Sequence, residues 1–206
     1  MQRILKEIPL FFVVAFFFLT SSHCSVQTAW ADLEGAGAAY LRGDYATAYQ
    51  EFSKLAQEGS AEAQFNLGNL YYTGKGVPQS YAQALVWYRK AADQGIAFAQ
   101  ASLGVMYYKG QGVAHDYAEA FKWYQRAANQ GDAKAQLNLG ALYYRGDGVT
   151  QDYVQAYKWF NLSAEQGDQI AVQARDGVAE KMTPEQILEA KRLSKKWKPK
   201  KEPNQH

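Results

Sequence analysis

Residues 95–130 read GIAFAQASLGVMYYKGQGVAHDYAEAFKWYQRAANQ, and the same pattern stands 36 positions earlier and 36 positions later. The copies are GSAEAQFNLGNLYYTGKGVPQSYAQALVWYRKAADQ at 59–94 and GDAKAQLNLGALYYRGDGVTQDYVQAYKWFNLSAEQ at 131–166. Gly59, Gly95, Gly131 and Gly167 mark the period. Nothing else in the chain constrains its fold as much. A unit of this size cannot bury an apolar face alone, so the copies must stack and share one continuous core.

Within 95–130, Ala99, Leu103, Gly104, Met106 and Tyr107 recur at helical spacing, and so do Ala120, Trp123, Tyr124, Ala127 and Ala128. Lys109-Gly110-Gln111-Gly112-Val113 separates the two stripes, with glycines that end a helix and permit positive φ. Asp116 with Glu119 resembles a capping box opening the second helix, kept as Ser80/Gln83 and Asp152/Gln155 in the other copies. Each unit therefore reads as helix A, a Gly-rich loop and helix B. Helices of about 13 residues are marginal alone in water, so their stability must come from packing. Gly68, Gly104 and Gly140 fall mid-helix, where Gly costs roughly 1 kcal/mol against Ala, and a close approach of two helix backbones would explain them. Trp87, Trp123 and Trp159 read as core plugs. Gln64, Gln100 and Gln136 are constant and polar, which suggests a structural hydrogen bond between repeats.

The run A-x-A-Q-x-x-L-G-x-x-Y-Y-x-G-x-G-V-x-x-D/S-Y-x-x-A-x-x-W-Y/F resembles the Sel1-like repeat, a relative of the tetratricopeptide repeat with a longer inter-helix loop. The resemblance implies an all-α fold, a right-handed α-solenoid with a C-terminal capping helix. It also implies a role as adaptor or scaffold for other proteins.

The flanks follow from this frame. Residues 1–31 read as a secretory signal. Arg3 and Lys6 form a basic start, LFFVVAFFFL at 10–19 an apolar centre, and Ala29-Trp30-Ala31 a cleavage site before Asp32. The apolar run is about half of a membrane span. A lipoprotein attached at Cys24 and an uncleaved anchor are the alternatives, although Ser21-Ser22-His23 is a poor lipobox. A periplasmic or secreted location is the expectation, with the membrane met only during export. Cys24 is the one cysteine, so a chain cleaved after Ala31 has none. Cysteine-rich secreted relatives staple their repeats with disulfides, and this chain must rely on packing.

Residues 32–58 form a partial, tetratricopeptide-like first repeat, with Asp44-Tyr45 in register with Ser80-Tyr81 and with Gln50, Glu51, Lys54 and Gln57 as polar cover. Residues 167–197 read as capping helices. Helix 168–180 carries Arg175-Asp176 where the repeats have Leu-Gly. Thr183-Pro184-Glu185-Gln186 starts helix 184–197, with Ile187, Leu188, Ala190 and Leu193 available for docking. Residues 198–206 read as a disordered basic tail.

The chain has 22 Lys and Arg against 20 Asp and Glu. Within 32–190 the balance is 13 basic to 18 acidic, and the basic excess gathers at Lys191, Arg192, Lys195, Lys196, Lys198, Lys200 and Lys201. A mildly acidic body argues against nucleic acid. The basic end suits weak contact with anionic envelope polymers or a solvated helix terminus. His115 and His206 are the only histidines after residue 31, so no zinc or haem ligand set is expected. No cofactor and no catalysis are expected, and a monomer is the expected state.

Positions that differ between copies are freed from building the scaffold. On helix A they share one face: Glu62, Asn66, Asn69 and Thr73; Phe98, Ser102, Val105 and Lys109; Lys134, Asn138, Ala141 and Arg145. The family resemblance places this face on the concave surface. The expected ligand is an extended peptide or a helix of a partner protein. Asn66 and Asn138 would bond its backbone, and Phe98 would anchor an apolar side chain. The alternative function is a cell-wall-directed protein that binds or cleaves peptidoglycan.

Overall fold

The computed structural model describes residues 32–200, so the expected signal sequence lies outside the described residues. Within them the chain is all helix: α1 over 32–41, α2 Tyr45–Gln57, α3 Ala61–Thr73, α4 Tyr81–Asp93, α5 Ala97–Lys109, α6 Tyr117–Gln130, α7 Ala133–Arg145, α8 Tyr153–Glu165, α9 Gln169–Ala179 and α10 Pro184–Lys196. Successive helices pack as antiparallel hairpins, and the hairpins stack into an α-solenoid. The A helices of neighbouring repeats also touch, α5 against α7 and α7 against α9. Helix α10 folds back onto α8.

Each hairpin closes the same way. Gly74, Gly110 and Gly146 end helix A in the left-handed region, at φ 72°, 66° and 78°. Two residues later Gly76, Gly112 and Gly148 also take positive φ and press on the preceding repeat. A Cβ at Gly76 would lie 2.4 Å from the Tyr45 carbonyl oxygen, and one at Gly148 would lie 2.4 Å from that of Tyr117. The side chains of Ser80, Asp116 and Asp152 cap helix B as expected. The reciprocal half of the capping box is not formed. The N–H groups of Ser80, Asp116 and Asp152 donate instead to the carbonyls of Tyr71, Tyr107 and Tyr143 at the end of helix A, while Glu119 pairs with Lys122. The loop thus ties its helix B to its own helix A, and no donor remains for a side chain at the third helical position.

The core is a chain of apolar clusters, each bridging consecutive helices. Leu103 and Met106 of α5 meet Ala84, Tyr88 and Ala92 of α4, while Leu139 and Leu142 of α7 meet Ala120, Tyr124 and Ala128 of α6. The mid-helix glycines do mark a close approach, but to a ring rather than to backbone. A Cβ at Gly68 would lie 2.6 Å from Tyr88, at Gly104 2.6 Å from Tyr124, and at Gly140 2.7 Å from Phe160. Each helix B presses the Cδ1 and Cε1 atoms of an aromatic ring against the glycine of its helix A. Trp123 and Trp159 are buried plugs, whereas Trp87 is only partly buried beneath Lys90. The guanidinium groups of Arg89 and Arg126 each lie 4.7 Å from the Trp123 ring.

The constant glutamines form a ladder. Gln64, Gln100 and Gln136 are buried, and their Nε2 groups donate to the carbonyls of Ala56, Ala92 and Ala128 in the preceding helix B. Their Oε1 atoms accept from Gln94, Gln130 and Gln166 at the far end of the same repeat, at 2.8–2.9 Å. Those second glutamines also donate to the carbonyls of Gly59, Gly95 and Gly131. Six amides therefore satisfy backbone carbonyls where helices end, and they lock each repeat to its predecessor.

At the C-terminus, Thr183 and Gln186 form a full capping box with Pro184 at the first position of α10. Ala190 is buried and Ile187 packs against the core, but Leu188 is 71% exposed and does not dock. The expected disorder does not begin at residue 198. Trp197 meets Trp159 edge-on at 6.3 Å, Pro199 lies over Gly131, and the Lys200 N–H donates to the Asn129 carbonyl at 2.8 Å. Residues 201–206 lie outside the described residues.

Candidate functional site

The variable face of the A helices is a continuous strip bordered by aromatic rings. At its start, Phe98 is 64% exposed and lies 6.1 Å from Phe65, which in turn lies 5.8 Å from Tyr88. Phe98 and Lys134 line a cleft of 510 Å³ where the first turns of α5 and α7 meet, floored by Gly131, Asp132 and Ala133. Asp132 caps α7, and burial pushes its carboxyl above the usual range. Farther along, Asn138, Ala141 and Arg145 of α7 line a second cavity of 230 Å³ with Leu142 and the rings of Tyr108 and Tyr124.

Not every residue of the strip is free. Asn69 accepts a 2.7 Å hydrogen bond from the Tyr88 hydroxyl, so its carbonyl oxygen serves the fold. Ser102 donates back to the Phe98 carbonyl of its own helix. Val105 packs into the cluster around Tyr124. Arg145 donates through Nε to Asp147 at 2.6 Å and through Nη2 to the Tyr108 hydroxyl at 3.3 Å. Glu62, Lys109 and Lys134 are exposed, and Asn66 is half-buried.

A row of tyrosine hydroxyls runs beside the strip, each met by a side chain of the following repeat. Lys75 donates to Tyr40, Tyr72 donates to Gln111, Arg145 donates to Tyr108, and Lys181 donates to Tyr144. The spacing of the paired tyrosines signalled core, and nothing in it revealed these bonds across repeats. A cavity of about 900 Å³ at the C-terminal end was not legible either. It lies between the ends of α6 and α8, α10 and segment 197–199, with Lys191, Lys195 and Lys198 on its walls beside Glu165. The fold-back of residues 197–199 supplies one of its walls.

The Sel1 repeat family model matches residues 61–96, 97–132 and 133–168. This chain belongs to the Sel1 repeat family. Repeats of the family generally mediate protein–protein interaction, on a fold that is typically a non-enzymatic scaffold. Among solved structures, this Sel1 repeat protein is similar to a protective antigen of uropathogenic Escherichia coli strains that displays an SLR fold. The two share 37% identity with a TM-score of 0.69, over 73% of this chain and 32% of that one. It is also similar to a Sel1 repeat protein from Oxalobacter formigenes, at 35% identity and a TM-score of 0.63, over 74% of this chain and 65% of that one. The chain thus spans about a third of the first relative and just under two thirds of the second. No curated protein matches it.

Proposed function

We propose that the protein is a non-catalytic interaction scaffold acting outside the cytoplasm, which holds an extended peptide or a helix of a partner along its helix-A face. The observation that carries this reading is Phe98, a large apolar side chain left 64% exposed beside a 510 Å³ cleft. A ring in that setting is suited to anchor a partner's apolar side chain. The exported location rests on the basic and apolar pattern of residues 1–31. It is supported by the E. coli relative's role as a protective antigen, since an antigen must be met by the host.

The test is capture from envelope extract by the chain expressed from its full sequence. It is run beside the triple variant Asn66→Ala, Phe98→Ala, Asn138→Ala, after circular dichroism shows both folded. A protein held by the wild type and lost by the variant supports the reading. Equal capture by both moves the site off this face. Sedimentation with purified cell-wall sacculi alone replaces the scaffold by the cell-wall function.

A further inference from the structure

The C-terminal end departs from the repeat pattern, and a basic cavity opens there. In the full repeats a ring of helix B presses on Gly68, Gly104 or Gly140 of its helix A. Asp176 stands at this position in α9, exposed and paired with Arg175. A ring has no glycine to rest on there, and α10 packs on α8 instead. Ala190 is buried in that contact, and the Ser194 hydroxyl donates to the Lys158 carbonyl at 3.4 Å. The chain then turns back, and the Lys200 N–H ties it to the Asn129 carbonyl of α6. These elements line the cavity of about 900 Å³.

The charge of this cavity is one-sided. Lys191 and Lys195 lie one helical turn apart on α10, and Lys198 follows on the returning segment. None of the three has an ion-pair partner among the described residues. Among the described residues of the wall, Glu165 is the one carboxylate, and it accepts from the Asn161 amide at 2.7 Å. Like charges one turn apart on a helix oppose folding, and a concave wall of one sign gathers counter-ions. Three ammonium groups against one carboxylate match the charge of a phosphate monoester, about −2 at neutral pH. The wall presents no guanidinium among the described residues, so the planar fork that suits carboxylates is missing, whereas ammonium point charges suit phosphate. The volume far exceeds a bare phosphate and falls in the roughly 300–1,000 Å³ range of small-molecule sites. Leu162, Trp197 and Pro199 add apolar surface for the face of a ring, and the Asn161 amide can meet a hydroxyl. We infer that the cavity between α6, α8 and α10 binds a phosphorylated sugar, with its phosphate among Lys191, Lys195 and Lys198 and its ring against Trp197. None of these residues belongs to the helix-A strip, so the site adds a small-molecule ligand to the scaffold.

The experiment is isothermal titration of the full chain with glucose 6-phosphate, beside glucose, inorganic phosphate and glucuronate. Glucose 6-phosphate is expected to bind saturably, and each of the other three about tenfold more weakly, as loss of a contact to a charged group predicts. The double variant Lys191→Gln, Lys195→Gln should lose about tenfold for glucose 6-phosphate. Both side chains are exposed, so the fold is expected to survive the change. Lys196→Gln removes the same charge from the same helix but off the cavity wall, and it should bind like wild type. The inference is overturned if glucose 6-phosphate does not bind, or if glucose, inorganic phosphate or glucuronate binds as tightly. It is also overturned if Lys196→Gln weakens binding as much as the double variant, which would mean diffuse charge rather than a site. Flotation with phosphatidylglycerol vesicles, with no binding of glucose 6-phosphate, would assign the lysines to a membrane surface instead. The variant Asn66→Ala, Phe98→Ala, Asn138→Ala should bind glucose 6-phosphate like wild type, so the cavity and the strip stand or fail separately.

Discussion

Gly104 answers two opposed demands. Its helix would gain about 1 kcal/mol from Ala at that position. The methyl would stand 2.6 Å from the Tyr124 ring, where overpacking costs about 1–3 kcal/mol. Gly104→Ala is therefore expected to lower the urea midpoint, and a raised midpoint would show that the ring slides aside at no cost. Gln136 poses the converse case. Replacing it with Met conserves shape but removes two hydrogen bonds, one of the two that the Ala128 carbonyl accepts and one that Gln166 donates. The expected loss is about 1–3 kcal/mol, read from the same unfolding curve. Gln136 was recognisable in the sequence as a constant polar residue, yet its partner Gln166 was not picked out. The two lie 30 positions apart, and each looks unremarkable until the repeat closes.

At the scale of the element, the helices were legible because their stripes, glycines and caps all recur in register. The start of α10 and its capping box were readable from Thr183-Pro184-Glu185-Gln186 alone. The reciprocal cap of helix B was not, because tertiary geometry offers Asp116 a carbonyl on Tyr107 that local sequence does not reveal. The strip was legible as variable positions. That Asn69 serves the Tyr88 hydroxyl was not, since the bond crosses between two helices. The C-terminal segment is the clearest miss, because a run of lysines and prolines masks a tryptophan that reaches back to Trp159. Trp197→Ala should free segment 197–200 and loosen α10. Hydrogen exchange is expected to accelerate in α10 and at the end of α6, while the amides of α3 and α4 keep their protection. Equal acceleration throughout the chain would mean that the segment holds more than its own end.

Across the whole molecule, repeats joined only to their neighbours unfold as coupled units rather than as one globule. Their alkaline limit is set by tyrosines. The hydrogen bond with Tyr49, aided by burial, pushes the Tyr71 hydroxyl up to about 12, and burial raises Tyr88, Tyr124 and Tyr143 as well. A raised folded value means that above about pH 10 the unfolded chain releases protons that the folded chain keeps. Stability carried by these groups is complete below about pH 10 and declines between about 10 and 12. Thermal melts across that window, followed by tyrosinate absorbance, should show unfolding and ionisation together. Ionisation well ahead of unfolding would contradict the assignment.

The glutamine ladder has an evolutionary consequence. Every bond in it connects residues 8, 30 or 35 positions apart, and the pattern returns each time the chain advances by one copy. A duplicated unit therefore arrives with its donors facing acceptors that already exist, and the splice leaves nothing to be reinvented. Copy number can drift by recombination while the joints stay sound. The reach of the face toward its ligand becomes a quantity that selection can change in whole steps.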